Sequence, residues 1–394
     1  MRLLFLLPFP PDPEGRHGAS RMTGQLVECM AARHEVAVIH LRAPEEPPIA
    51  TALNERLALS VEVERPSLVA GARVRRSGRR ALGLAAGRPL WATDWRVPDF
   101  DARVREAVRD WRPDIVQAEL QVMGQYLAGL ATPTVLVDHD PGAATARDLA
   151  DWEHGLRRAG RRVDALAWKR YERRILGAAD ALVTFTERDA AALAPSRPAA
   201  VIAPGVALPP QASDPVGAAP PRVLFLGSFG HPPNVDAAVR LAVDVMPTVR
   251  ERVPDAVLEI VGDAPPAQVR GLAGDSVIVT GRVPDVRPHL DRAAVVAAPL
   301  RLGGGMRVKV LDALAAGKAL VATPRALAGM PVEPGTHALV ADSDSELGEA
   351  VVELLRDPEQ RRRLGTAARA LAAERLTWER AAVEYEALYA SLLA

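Results

Sequence analysis

The feature that most narrows the fold is a rhythm of short apolar runs and helix-like segments, played twice. "RLLFLLPF" (2–9) leads through a glycine-containing loop into a helix-like stretch and then "EVAVIHL" (35–41), as in a βαβ unit. Further strand candidates follow: "LALSVEVER", "DIVQAEL", "PTVLVDHD", "ADALVTFT" and "AAVIAPGV". Continuous apolar runs alternating with helices predict a parallel sheet covered on both faces. The rhythm stops at "APGVALPPQASDPVGAAPPR" (203–222), rich in Pro, Gly and Ala, and then restarts with "RVLFLGSF", "AVLEIVGD", "SVIVTGRV", "AAVVAAPL", "ALVATP" and "HALVAD". The expected architecture is therefore α/β: two facing, Rossmann-like, doubly wound domains with a cleft between them. We place the first domain at 1–205, a linker at 206–221 and the second domain at 222–375. The amphipathic segment 376–394 has no strand after it and could cross back onto the first domain.

A chain of 394 residues suits two domains. Its 49 basic and 49 acidic side chains cancel, which argues against a nucleic-acid binder relying on overall positive charge. The single cysteine, Cys29, excludes an intrachain disulfide or a cysteine-cluster metal site and reads as a small buried apolar residue. No apolar run reaches the ~18 residues of a membrane span, and "MRLLFLLPFPP" reads as a first strand rather than a signal peptide. The expected localisation is cytoplasmic. Two basic segments with interleaved apolar residues, "RVRRSGRRALGLAAGRPLW" and "GLRRAGRRVDALAWKRYERR", leave open a peripheral contact with the inner membrane face.

Open parallel sheets bind ligands beyond the carboxyl ends of their strands, so candidate site residues should follow strands. "PLRLGGGMRVKVLDALAAGK" does so, with Gly303, Gly304 and Gly305 followed by Met306 and a helix-like pattern. Glycines let backbone approach a ligand closely, and amides at a helix start favour an anion such as a diphosphate. Lys309 and Asp312 share a helix face; a cation for phosphate and a carboxylate for ribose hydroxyls would suit a nucleoside diphosphate. The same spacing equally fits a turn and an ordinary surface Lys–Asp pair. No Gly-Lys-Ser/Thr closes the loop as in a P-loop, and neither half carries G-x-G-x-x-G after its first strand.

Four other places offer ligand contacts. "PFPPDPEGRHGAS" puts Gly15 and Gly18 in a loop that could lie over phosphate or sugar. "VLVDHDPG" ends a strand at His139, which could bond a sugar or move a proton. Its flanking Asp138 and Asp140 raise a metal as an alternative, without a second histidine cluster to support it. "VTGRVPDV" places Arg282 and Val283 after a strand, where backbone groups could read a base edge, and "LGSFGHPPN" follows the first strand of the second half with Ser228 and His231 rather than a basic pair.

The order and spacing of these motifs, clearest from 222 to 330, resemble retaining glycosyltransferases of the GT-B fold in glycosyltransferase family 4 (group 1). The N-terminal half matches more loosely, through its glycine loop and "DHD". The resemblance implies transfer of a hexose-type sugar, with retention, from a nucleoside-diphosphate-sugar held mainly by the second domain. The acceptor, a glycan, a lipid-linked molecule or a small molecule, would enter through the first. His139 matches the family's histidine near the transferred sugar. Lys309, Arg301 and the glycine amides would stabilise the leaving diphosphate, which nearby Arg307 could also touch, with no metal or other cofactor, and Asp312 would take the place of the family's ribose-binding glutamate. The family's other glutamate position is Gly304 in this chain. The motifs also fit a non-catalytic nucleotide-sugar-binding subunit, or a nucleotide-sugar epimerase of the same fold.

Overall fold

The computed structural model describes residues 1–394 apart from 16–17, 67–77, 81, 85, 194–197 and 304–306. It contains two parallel sheets. The first comprises β1 (Arg2–Leu7), β2 (Glu35–Arg42), β3 (Leu59–Glu64), β4 (Ile115–Glu119), β5 (Thr134–Asp138), β6 (Ala181–Thr184) and β7 (Ala200–Val201). Their order is β3-β2-β1-β4-β5-β6-β7. The second comprises β8 (Arg222–Leu226), β9 (Val257–Val261), β10 (Val277–Gly281), β11 (Val295–Ala298), β12 (Leu320–Ala322) and β13 (Leu339–Val340), in the order β10-β9-β8-β11-β12-β13. Each sheet therefore reverses its winding beside its first strand, between β1 and β4 and again between β8 and β11. These are the switch points where a crevice opens.

The central strands are buried on both faces, which explains their mostly apolar sequences, while the edge strands β3 and β10 stay partly exposed. In β1, Leu3, Phe5 and Leu7 enter one core and Leu4 and Leu6 the other, all within 1% of complete burial. This two-sided burial is the ordinary consequence of covering a parallel sheet with crossover helices.

The segment that positions the site in the second half is the Val308–Ala316 helix after β11. Gly317, at φ +71°, stops it. The Gly317 and Lys318 amides return to the Leu314 and Ala313 carbonyls, the usual closure for a helix ending on a left-handed glycine. The last helix, Trp378–Leu393, lies against the Gly18–Ala31 helix of the first half. Trp378 Nε1 donates to Gln25 at 2.8 Å, while Glu386 accepts from Arg33 at 2.7 Å and lies 2.9 Å from His34. Among the described residues no helix is long and apolar enough to cross a membrane.

Candidate active site

A cleft of about 720 Å³ runs between the carboxyl ends of the two sheets. That is within the usual span of small-ligand sites. From the first half it is lined by Gly18 and Arg21 after β1, Gln121 after β4, and His139 and Asp140 after β5. From the second half it is lined by Ser228 and His231 after β8, Asp263 after β9, and Arg307, Lys309 and Asp312 around the Val308–Ala316 helix. The floor requires small residues: a Cβ added at Gly262 would fall 1.6 Å from the Gly227 carbonyl oxygen.

The second half concentrates positive charge. Lys309 Nζ donates to Asn234 Oδ1 at 2.5 Å and stands 4.4 Å from the centre of the Phe225 ring. Among the described residues no carboxylate lies within ion-pair distance of it. Burial, reinforced by neighbouring Arg307, holds its pKa well below the usual lysine range. Burial also lowers the pKa of Arg307. His231, on the same wall, is pushed down to about 4 by burial and then by the charges of Arg307 and Lys309, so it is neutral at pH 7. A desolvated cation without an opposite charge is costly, and a bound anion would relieve that cost.

The first half contributes acids and the histidine. His139 Nε2 lies 2.7 Å from Glu119 Oε2, and the imidazole packs on Phe185 with ring centres 4.7 Å apart. Burial raises the Asp140 carboxyl to about 6, although the Thr145 hydroxyl, donating at 2.7 Å, opposes the shift. Asp138, next to the histidine on the strand itself, is buried and raised well above the usual carboxylate range, first by burial and then by Glu172. Among the described residues no group of three or more His, Cys, Asp or Glu is placed to hold a metal ion.

The halves also touch across the cleft. Arg21 Nη2 donates to Asp312 Oδ2 at 2.6 Å. Arg325 pairs with Asp148 and donates to the Gly303 carbonyl at 3.0 Å. A Cβ at Gly18 would be 3.0 Å from Val308.

Of the residues expected from sequence, Gly18, Ser228, His139, Lys309 and Asp312 converge on the cleft. Arg301 does not. Its guanidinium forks onto Asp236 at 2.9 and 2.8 Å and lies 4.3 Å above the Trp152 ring, outside the lining. A planar fork beside a carboxylate and an indole is satisfied there. Arg307 occupies the cleft wall instead. Arg282 is exposed and Val283 packs against the core; Val286, a few residues on, reaches the lining. Gly15 sits in a turn closed by its own amide on Asp12 O at 2.8 Å and is not part of the lining. Gly303 adopts φ +85°, beside the cleft. Gly304, Gly305 and Met306 lie outside the described residues.

The sequence reading passed over Arg21, Glu119 and Asn234. Asn234 closes the "GHPPN" stretch at the start of the Pro232–Arg240 helix, and its strand-end position was the available signal. Arg21 and Glu119 are paired over long sequence separations, which leave no local pattern.

Two family models match the chain. "Glycosyltransferase Family 4" matches residues 16–208, and "Glycosyl transferases group 1" matches 220–357. A GDP-mannose-dependent monoacylated alpha-(1-6)-phosphatidylinositol monomannoside mannosyltransferase of Corynebacterium glutamicum is 35% identical over 150 residues. That alignment takes in 35% of this chain and 39% of the relative's length. Among solved structures, the chain resembles sucrose-phosphate synthase from Thermosynechococcus elongatus, with a TM-score of 0.75 at 18% identity over 100% of this chain and 99% of that one. It also resembles Anabaena HepE in complex with UDP and glucose (TM-score 0.68, 14% identity, 99% and 100% covered). WaaG, a glycosyltransferase involved in lipopolysaccharide biosynthesis, gives 0.64 at 16% identity, with 98% of each chain covered. At these identities the structural likenesses speak to the fold, which is the two-domain GT-B arrangement of parallel sheets.

Proposed function

Because this chain belongs to the group 1 glycosyltransferases, we propose that it transfers a sugar from a nucleoside-diphosphate-sugar, with retention of anomeric configuration. The observation that carries the donor reading is Lys309: a desolvated amine on the cleft wall beside Arg307, with no carboxylate at ion-pair distance among the described residues. A diphosphate supplies the missing charge. The nucleotide complex of HepE and the GDP-mannose dependence of the Corynebacterium relative belong to those proteins and support the same donor class here.

In this reading the bond between the sugar's anomeric carbon and the diphosphate oxygen breaks. Lys309, Arg307 and the helix start meet the charge gathering on the leaving oxygens. The acceptor hydroxyl forms its bond on the face the diphosphate leaves, and its proton passes to a diphosphate oxygen. No dedicated protein base is then required. His139 holds the sugar, and Asp312 takes the ribose hydroxyls.

On the acceptor side, the outer face of the Gly155–Ala178 helix exposes Val163 and Leu166 among Arg162, Lys169, Arg170 and Arg173. Apolar residues framed by cations suit an anionic lipid surface, and we favour a lipid-linked acceptor on that ground.

A thermal-shift screen against UDP, GDP and ADP and their sugars tests the donor reading. A ligand at 100 times its Kd adds about 2.7 kcal/mol to the native state. Once a donor is found, Lys309→Ala should lower kcat/KM on the order of 10²-fold. Unchanged transfer in that variant would remove Lys309 from the mechanism. The anomeric coupling of the product, read by NMR, tests retention.

A further inference from the structure

His139 is held by a buried line of side chains that ends on the last helix of the chain. Its Nε2 lies 2.7 Å from Oε2 of Glu119, the final residue of β4, which is 1% exposed. The other oxygen of Glu119 accepts from Gln117 Nε2 at 2.6 Å. The Gln117 carbonyl oxygen in turn accepts the Tyr389 hydroxyl at 2.6 Å. Tyr389 belongs to the Trp378–Leu393 helix and is completely buried. Burial, followed by the nearby charges of Glu119 and Glu386, pushes its phenol well above the usual range, so it stays protonated and donates.

The direction of each bond follows from the first. Tyr389 donates to the amide oxygen, so the amide nitrogen faces Glu119 and donates to it. A carboxylate that accepts on one side and meets an imidazole nitrogen on the other takes the proton-bearing face of that ring. His139 is thereby fixed with hydrogen on Nε2, and Nδ1 keeps its lone pair. Nδ1 is buried and, among the described residues, has no hydrogen-bond partner, although His139 lines the cleft.

We propose that Glu119 is a positioning residue, supported by Gln117 and by Tyr389 of the last helix. The three together hold His139 in the Nε2–H tautomer, so that Nδ1 offers an acceptor to a hydroxyl of the bound sugar. Only the catalytic consequence rests on the transfer reaction proposed above; the tautomer belongs to the ligand-free chain.

The test uses the full chain with ¹⁵N-labelled histidine and two-bond ¹⁵N–¹H correlation spectra, without ligand. The His139 signals are identified by their loss in His139→Gln. The wild type should show the Nε2–H form. In Glu119→Gln the new amide oxygen accepts from Gln117, which turns the amide nitrogen onto Nε2 and moves the ring proton to Nδ1. That variant should switch tautomer and lose kcat on the order of 10²-fold, with KM and melting temperature little changed. Tyr389→Phe, the milder variant, should keep the tautomer and lose activity severalfold. Wild-type signals showing the Nδ1–H form, or a Glu119→Gln variant with both tautomer and kcat unaltered, would overturn the proposal. Spectra that switch as expected in a chain with no transfer activity would instead retire the transfer reading and leave the positioning intact.

Discussion

Lys309 shows how one residue can be both poorly solvated and suited to the diphosphate proposed for it. Its pKa in the folded chain lies below the unfolded value. Between those two values the folded state binds fewer protons than the unfolded chain, so this site's contribution to stability improves as pH rises through that window. A diphosphate reverses the sign, because it favours the charged amine. Nucleotide binding should therefore take up a proton within the window, and affinity should fall as pH rises through it. Calorimetry in buffers of different ionisation enthalpy measures that uptake; binding without proton exchange would mean that Lys309 does not meet the phosphates. Sequence made Lys309 legible because it follows a strand and glycines and is one of three lysines, with Lys169 and Lys318. It did not separate Arg301 from Arg307. Which guanidinium faces the cleft depends on Asp236, 65 residues before Arg301, and on Trp152 from the other half. No local pattern carries that information.

At the level of elements, the central strands are legible because burial on both faces removes most polar alternation, while edge strand β3, LSVEVE, is legible by the alternation it keeps. Helix faces were less so. The Gly155–Ala178 helix reads as generically basic, and only its packing shows that Asp164 and Trp168 turn inward while Leu166 stays 60% exposed. If that outer face meets lipid, the chain should co-sediment with vesicles containing anionic phospholipid and release them in high salt. Leu166→Asp should reduce that binding several-fold and leave nucleotide binding unchanged. Equal sedimentation with neutral vesicles would point away from an electrostatic membrane contact. The glycine-rich loop before the Val308–Ala316 helix illustrates another limit: composition announces close backbone approach without saying to what.

Across the whole molecule, the cleft is bridged by charge. Arg21 occupies Asp312, the carboxylate proposed for ribose, and Arg325 ties the second half to Asp148. Both members of the Arg21–Asp312 pair are about four-fifths buried in their side chains, at 23% and 16% exposure. An ion pair with some solvent access contributes roughly 1 kcal/mol. Arg21→Ala should therefore tighten nucleoside diphosphate binding a few-fold, since Asp312 no longer exchanges one partner for another, and should loosen the approach of the halves in small-angle scattering. Weaker nucleotide binding in that variant would mean that Arg21 itself contacts the ligand.

The Trp378–Leu393 helix comes last in the chain, yet Gln25, Arg33, His34 and Gln117 of the first half are its partners. Chain order and structural membership thus disagree. A chimaera that exchanges donor specificity by cutting once, at the proline-rich junction, would import a foreign cover for the first sheet and a foreign anchor for Glu119. The graft that respects the packing cuts twice and keeps residues 378–393 with the half they cover, so recombination of such halves is a two-crossover problem.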